Sequence, residues 1–263
     1  MHDATGSEPT TPERTSALTR RLLAPNAGPM TLDGTNSYLI AAPESGSVVV
    51  VDPGPLDAGH LEDLAVVAPV ELVLLTHRHR DHSESRHAFA ELTGAPVRAF
   101  DPEFCVDGPP LTAGEQIVAA RTSIRVIHTP GHTSDSVSLH LPEDGPAGSV
   151  LTGDTILGRG TTIIDFPDGT LGDYLNSLAV LRAYGQATVL PAHGPVLPDL
   201  AAACDAYRKH REQRLDQIRR ALAELGPDAS VQAVTDLVYT DAPASVRFAA
   251  EASVSAQLAY LRG

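Results

Sequence analysis

Residues 76–82 read Thr-His-Arg-His-Arg-Asp-His, directly after the apolar run VELVLL at 70–75. Three imidazoles, His77, His79 and His82, and one carboxylate, Asp81, fall within six residues. His77 and His79 are two apart, so an extended backbone turns both rings to one side. Asp81 and His82 are adjacent, so where the chain begins to turn they can face a second centre. Packed this tightly, the imidazoles would repel one another if protonated, and neutral nitrogen plus a hard oxygen donor is the chemistry of a divalent transition-metal site.

One short stretch cannot fill two coordination shells, and the remaining ligands are sought at other strand ends. His132 lies in TPGHT after IRVIHTP, Asp154 in LTGDT after SVL, and His193 in PAHG after TVL. Each is a His or Asp at the end of an apolar run, beside a Gly where the chain must turn. His2, His60, His87, His128, His140 and His210 lack that context and read as structural or surface residues.

Outside these positions the chain has ordinary composition. Of its 263 residues 42% are hydrophobic and 20% charged, and 33 acidic side chains against 19 basic ones give a formal charge of −14. That acidity argues against a dedicated polyanion-coating protein, because non-specific affinity for nucleic acid comes from Lys and Arg. No apolar window approaches the length of a membrane span, and the polar first 20 residues lack the apolar segment of a secretory signal. Two cysteines, Cys105 and Cys204, make no disulfide framework, so the expected setting is the reducing cytoplasm, with no membrane partner.

Residues 1–20 read as a loose tail. Apolar runs at 37–42, 47–54, 70–77, 124–130, 136–142, 149–154 and 188–193 read as strands, and helical patterns cover 57–67, 84–92 and 171–184. This alternation predicts α/β layers in a catalytic domain over 21–197. Residues 198–263 read as a helical appendage, with helices at about 198–225, 230–240 and 244–261 broken at Gly226-Pro227 and Asp241-Ala242-Pro243. Segment 208–220 carries six Lys or Arg and two acids. Leu215, Ile218, Leu222 and Leu225 form its apolar stripe; Arg208, Lys209, Arg219 and Arg220 lie outside it, and Arg211 falls on it, as an inward, paired residue would.

Together the ligand motif and the segments VDPG (51–54), TPGHT (129–133), LTGD (151–154) and AHG (192–194) resemble the metallo-β-lactamase superfamily. Segments 25–40, 153–178 and 210–218 make the chain most similar to its lactamase-beta-like type 2 group, which has endoribonuclease members. The resemblance implies a four-layer αββα sandwich with metals where the sheets meet. It assigns His77, His79 and His132 to one Zn²⁺, Asp81, His82 and His193 to a second, with Asp154 bridging and Asp52 supporting the ligand loop. It also implies a C-terminal helical or winged-helix element; no alternating segment follows the third helix, so a truncated, all-α form is expected.

The chemistry expected of two such ions is a bridging hydroxide, oriented by the catalytic carboxylates Asp81 and Asp154, that attacks a phosphodiester or an acyl carbon. Single-stranded RNA is the first expected substrate, on the subgroup resemblance and on Arg78, Arg80, Arg159 and the basic 208–220 segment. An esterase, thioesterase or lactonase of glyoxalase II type, acting on a small metabolite held by a loop at 158–170, is the alternative. A metal-stabilised binding module is disfavoured, since a structural site has no use for adjacent open centres. Residues 200–263 are expected to pack over the rim of the metal cleft.

Overall fold

The computed structural model describes residues 10–240 and 247–263. Eleven strands form two mixed sheets among the described residues. The first sheet runs in the order β1 (Glu13–Arg14), β2 (Thr19–Leu23), β3 (Asn36–Ile40), β4 (Val48–Val51), β5 (Val70–Leu74), β6 (Val97–Arg98). The second runs β11 (Thr188–Pro191), β10 (Ser149–Gly153), β9 (Val137–Leu141), β8 (Thr122–His128), β7 (Gln116–Ala119). The pairs β4·β5 and β10·β11 are parallel, and β4, reading VVVV, is buried at all four positions because both faces are covered.

Where each side chain is buried defines the layers. Tyr38, Ile40, Val49, Val51 and Leu74 of the first sheet meet Ile124, Val126, Leu139, Leu151 and Leu190 of the second in a core between the sheets. On the outer face of the first sheet, Val48, Val50 and Val73 pack against Leu61 and Leu64 of α1 (Ala58–Ala65) and Phe89 of α3 (Arg86–Thr93). On the outer face of the second, Val150 and Val189 pack against Tyr174 and Leu178 of α4 (Leu171–Arg182) and Leu200, Cys204 and Leu215 of α5 (Leu200–Leu225). This is the expected four-layer αββα arrangement.

Two further helices, α6 (Val231–Val238) and α7 (Arg247–Arg262), close a smaller core of Ile218, Ala221, Val234, Val254 and Leu258 against the second half of α5. Helix starts in this segment are written locally: Asp199 Oδ1 accepts from Ala202 N at 2.9 Å and Ser230 Oγ from Ala233 N at 3.2 Å, satisfying helix N–H groups that would otherwise be orphaned.

One sequence expectation changes. Residues 13–14 and 19–20, expected in a tail, belong to β1 and β2, where Arg21 ion-pairs with Glu13 and pins a two-residue edge strand too short to show a period. The expected C-terminal helices are present, and the first of them, α5, shares the outer core of the second sheet. The expected break at 241–243, like residues 1–9 of the expected tail, lies outside the described residues.

Candidate metal centre

Each proposed ligand sits where a strand runs out. His77 and His79 follow β5; Asp81 and His82 lie on the single-turn helix α2 (Arg80–Ser83); His132 lies between β8 and β9; Asp154 follows β10; and His193 follows β11. Bonds between the two sheets fix these ends together. Val137 N donates to Thr76 O at 2.8 Å, Asn36 N donates to Ala192 O at 2.7 Å, and the Asn36 amide donates to Pro191 O and Gly194 O on either side of His193. Gly131, beside His132, has φ +136°, and a Cβ there would lie 2.3 Å from Tyr174 Cα, so the turn that aims His132 requires glycine.

Three overlapping clusters result, each with ligand atoms within 4.8 Å of one another: His77, His79 and His132; His77, His82 and Asp154; Asp81, His82 and His193. His79 Nδ1 lies 3.1 Å from His77 Nε2 and 3.0 Å from His132 Nε2. Asp81 Oδ2 lies 3.2 Å from both His82 Nε2 and His193 Nε2. Asp154 reaches both groups, with Oδ1 3.4 Å from His193 Nε2 and Oδ2 3.6 Å from His132 Nε2. The structure thus brings together all seven residues picked out from the sequence.

The outward side of each ring is held by a fixed partner, which selects the atom that faces inward. Buried Asp52 accepts from Thr76 N at 2.8 Å and Thr76 Oγ1 at 2.6 Å, and takes His82 Nδ1 at 2.9 Å. His193 Nδ1 donates to Gly34 O at 3.1 Å, His132 Nδ1 to Ile163 O at 2.8 Å, and His79 Nε2 to Asp165 Oδ2 at 3.2 Å. The inward atoms His82 Nε2, His193 Nε2 and Asp154 Oδ1 are buried with no hydrogen-bond partner. Orphaned donor atoms of this kind, converging from nitrogen and carboxylate ligands, fit a bound divalent metal.

Electrostatics divide the site. Burial, reinforced by the neighbouring imidazoles, pushes the His77 pKa well down, and burial brings His132 down to about 4, so both rings are neutral donors at pH 7. Burial also opposes charge on His82 and His193, but Asp81, Asp52 and Asp154 outweigh it on His82, and Asp154 and Asp81 outweigh it on His193, raising both. The carboxylate-rich half therefore favours protonation of its two rings, and protons compete there with a metal ion.

His79, Asp81, His132 and Asp154 lie at the floor of a cleft of about 350 Å³, walled by Pro29, Met30, Leu32, Leu157, Ile163 and Ala249 with Arg159 and three threonines. The arginines expected to serve it are held in ion pairs, Arg159 on the cleft wall itself. Arg78 ion-pairs with Asp165 and Asp168 at 2.6 Å each, Arg159 clasps Asp33 with two bonds of 2.5 and 2.8 Å, and Arg80 points outward to Glu84. Arg208, Lys209, Arg219 and Arg220 are exposed and line no part of the cleft. Arg211 does turn inward: it is 3% exposed and its Nη2 donates to Thr162 O.

The family model of the metallo-beta-lactamase superfamily matches residues 30–193, a span containing all seven clustered residues. The chain belongs to the metallo-beta-lactamase superfamily. It is 31% identical to a Beta-lactamase-like protein 2 homolog of Drosophila melanogaster over 92% of this chain and 86% of that one, in keeping with the expected subgroup. It is also 31% identical to an atrochrysone carboxyl ACP thioesterase of Aspergillus chevalieri, over 78% of this chain and 65% of that one. Among solved structures, a metallo-beta-lactamase family protein from Thermus thermophilus shares the fold with a TM-score of 0.75 at 24% identity, covering 93% of each chain. As a superfamily member the chain is a metal-dependent hydrolase. Among the described residues no helix is long and apolar enough to cross a membrane.

Sequence reasoning missed Asp165, Thr162 and Tyr207. Asp165 orients His79; Thr162 Oγ1 lies 3.1 Å from His132 Nδ1; and the Tyr207 hydroxyl bonds both Leu157 N and Leu157 O, tying α5 to the cleft wall. None carries a local signal, since each acts across at least 30 residues of chain.

Proposed function

We propose that this chain hydrolyses acyl thioesters or esters at a dinuclear metal site, with His77, His79 and His132 on one ion, Asp81, His82 and His193 on the other, and Asp154 shared. Zinc suits the nitrogen-rich set. The observation that carries the reading is the cleft wall: it is mostly apolar, and its one arginine among the described residues, Arg159, is neutralised by Asp33, as Arg78 is by Asp165 and Asp168. An acyl chain gains by burying surface there. A phosphodiester strand would first have to break those ion pairs. The thioesterase named among the relatives supports the same choice, and the exposed basic residues of α5, away from the cleft, lend less support to single-stranded RNA.

Divalent ions at this site would polarise a carbonyl and lower the pKa of an attacking water from about 15.7 toward 7. Asp81 and Asp154 orient that water, and Asp165 holds His79 in the tautomer that presents Nδ1. The water oxygen bonds to the acyl carbon, the carbon–sulfur or carbon–oxygen bond breaks, and a water proton ends on the thiol or alcohol released. The apolar walls seat the acyl chain and exclude bulk water from it.

The test is a hydrolysis panel with metal-loaded protein: acyl thioesters, lactones, β-lactams, and single-stranded and duplex RNA at low salt. Thioester or lactone turnover that stops on chelation and returns with zinc is expected. RNA cleavage with thioesters and lactones left intact would overturn the proposal.

A further inference from the structure

Behind the cleft wall lies a second pocket of about 200 Å³, and Thr161, Thr162, Ile163 and Ala249 line both. On its far side are three basic side chains of α5, His210, Arg211 and Arg214, with Tyr239 and Ser253. Among the described residues no Asp or Glu lines it. Among the described residues the ion pairs along α5 are made by its outward side, Asp205 with Arg182, Arg208 with Glu212 and Arg219 with Asp216.

Arg211 is almost fully buried. Its Nη2 bonds Thr162 O at 2.5 Å and its guanidinium lies 4.9 Å from the Tyr174 ring centre, yet among the described residues its Nε has no partner. His210 Nδ1 is likewise buried and unpartnered. Arg214 lies over the Tyr239 ring at 4.7 Å and, among the described residues, donates only to the neutral Gln217, at 2.8 Å. A buried guanidinium without a counter-charge is costly, and a neighbouring arginine makes it more so. Burial, with Arg211 and Arg214 adding to it, lowers the His210 pKa, as unneutralised positive charge would.

We infer that this pocket is a subsite for an anionic group, a phosphate carried on the thiol arm of the substrate. The inference rests on the thioester reading above and narrows it to thiols bearing a phosphate, the chemistry of a phosphopantetheine arm. The acyl chain takes the apolar cleft, the thioester lies over the metal ligands, and the arm passes the wall at 161–163 to reach His210, Arg211 and Arg214. A guanidinium fork matches phosphate geometry, and aromatic contact from Tyr239 holds the Arg214 fork in place.

Two thioesters that differ only in one phosphate, acyl-4′-phosphopantetheine and acyl-pantetheine, test the inference on the metal-loaded full chain. Wild-type kcat/KM should favour the phosphorylated substrate by about tenfold, through KM, as one charge-assisted contact allows. In Arg214→Gln and in the Arg214→Gln/His210→Gln double variant that ratio should fall toward one. A wild-type ratio of one, or a ratio that survives the double substitution, would overturn the inference. Should neither thioester be turned over, the thioesterase reading fails and calorimetry decides the subsite: S-methyl-4′-phosphopantetheine should bind wild type at least tenfold more tightly than Arg214→Gln. Equal affinity for the two proteins would rule the subsite out.

Discussion

Arg211 Nη2 donates to the carbonyl oxygen of Thr162 across 49 residues of chain, and the Thr162 hydroxyl lies 3.1 Å from Nδ1 of His132. A helix of the C-terminal segment thereby holds the loop that orients a metal-ligand candidate. Tyr207, one turn earlier, grips the same loop at Leu157. Residues 200–263 contribute to the centre through these bonds, and Ala249 of α7 forms part of the cleft wall.

Arg211→Met should keep the apolar stem but lose the bond to Thr162. A hydrogen bond involving a charged group contributes about 1.5–3 kcal/mol, partly offset by relief of the buried charge, so the melting temperature should fall only slightly. Turnover should fall as well, because His132 loses its backing. Arg211→Lys should recover little of either, since an ammonium cannot both bond Thr162 and stack on Tyr174. Calorimetric melts alongside kcat measurements check this.

Asp52→Asn should weaken metal retention more than it disturbs the fold. The carboxylate serves Thr76 N, Thr76 Oγ1 and His82 Nδ1 together; an amide turns a donor toward at least one of them. Loss of such a supporting partner lowers metal affinity about 10- to 100-fold. Competition with a chromophoric chelator measures it, and unchanged affinity would remove Asp52 from the account of the site.

Asp154→Ala should abolish activity while leaving the cores between and outside the sheets intact. Its two oxygens address different ligand groups, so its loss should lower metal content from about two ions per chain to one or fewer. Elemental analysis after non-chelating purification reads the stoichiometry, and circular dichroism reads the fold. Wild-type protein without stoichiometric metal would contradict the dinuclear assignment.

His60 sets a pH dependence of stability. Burial lowers its pKa from 6.5 to about 4, and Nε2 lies 2.9 Å from Ser37 Oγ. The unfolded chain therefore binds this proton more readily than the folded one. The contribution is full above about pH 6.5, is lost as pH falls toward 4, and amounts to about 3 kcal/mol. Urea midpoints from pH 4 to 7 should slope less steeply in His60→Gln than in wild type. Parallel slopes would show that His60 is not the titrating group.

Much of the centre was legible because its signals are local. A His or Asp beside Gly at the end of a Val-rich run marks a strand that stops and a chain that turns: His132, Asp154 and His193 carry that mark, and His77, His79, Asp81 and His82 crowd into one motif after such a run. The apolar runs likewise predict seven of the strands, since covered sheets need continuous hydrophobic residues. The short strands β1, β6 and β7, of two to four residues, and polar β2 hold no period to read.

What the linear order could not determine is which distant groups meet. His210 reads as a surface residue until α5 docks and turns it, with Arg211 and Arg214, onto one pocket. Arg78 and Arg159 read as phosphate contacts until folding sets Asp165, Asp168 and Asp33 beside them. Ligand type is written in side chains and short spacing. Charge balance at the cleft depends on hydrogen bonds and ion pairs across the sheets and helices, and only the packed tertiary structure brings those partners together.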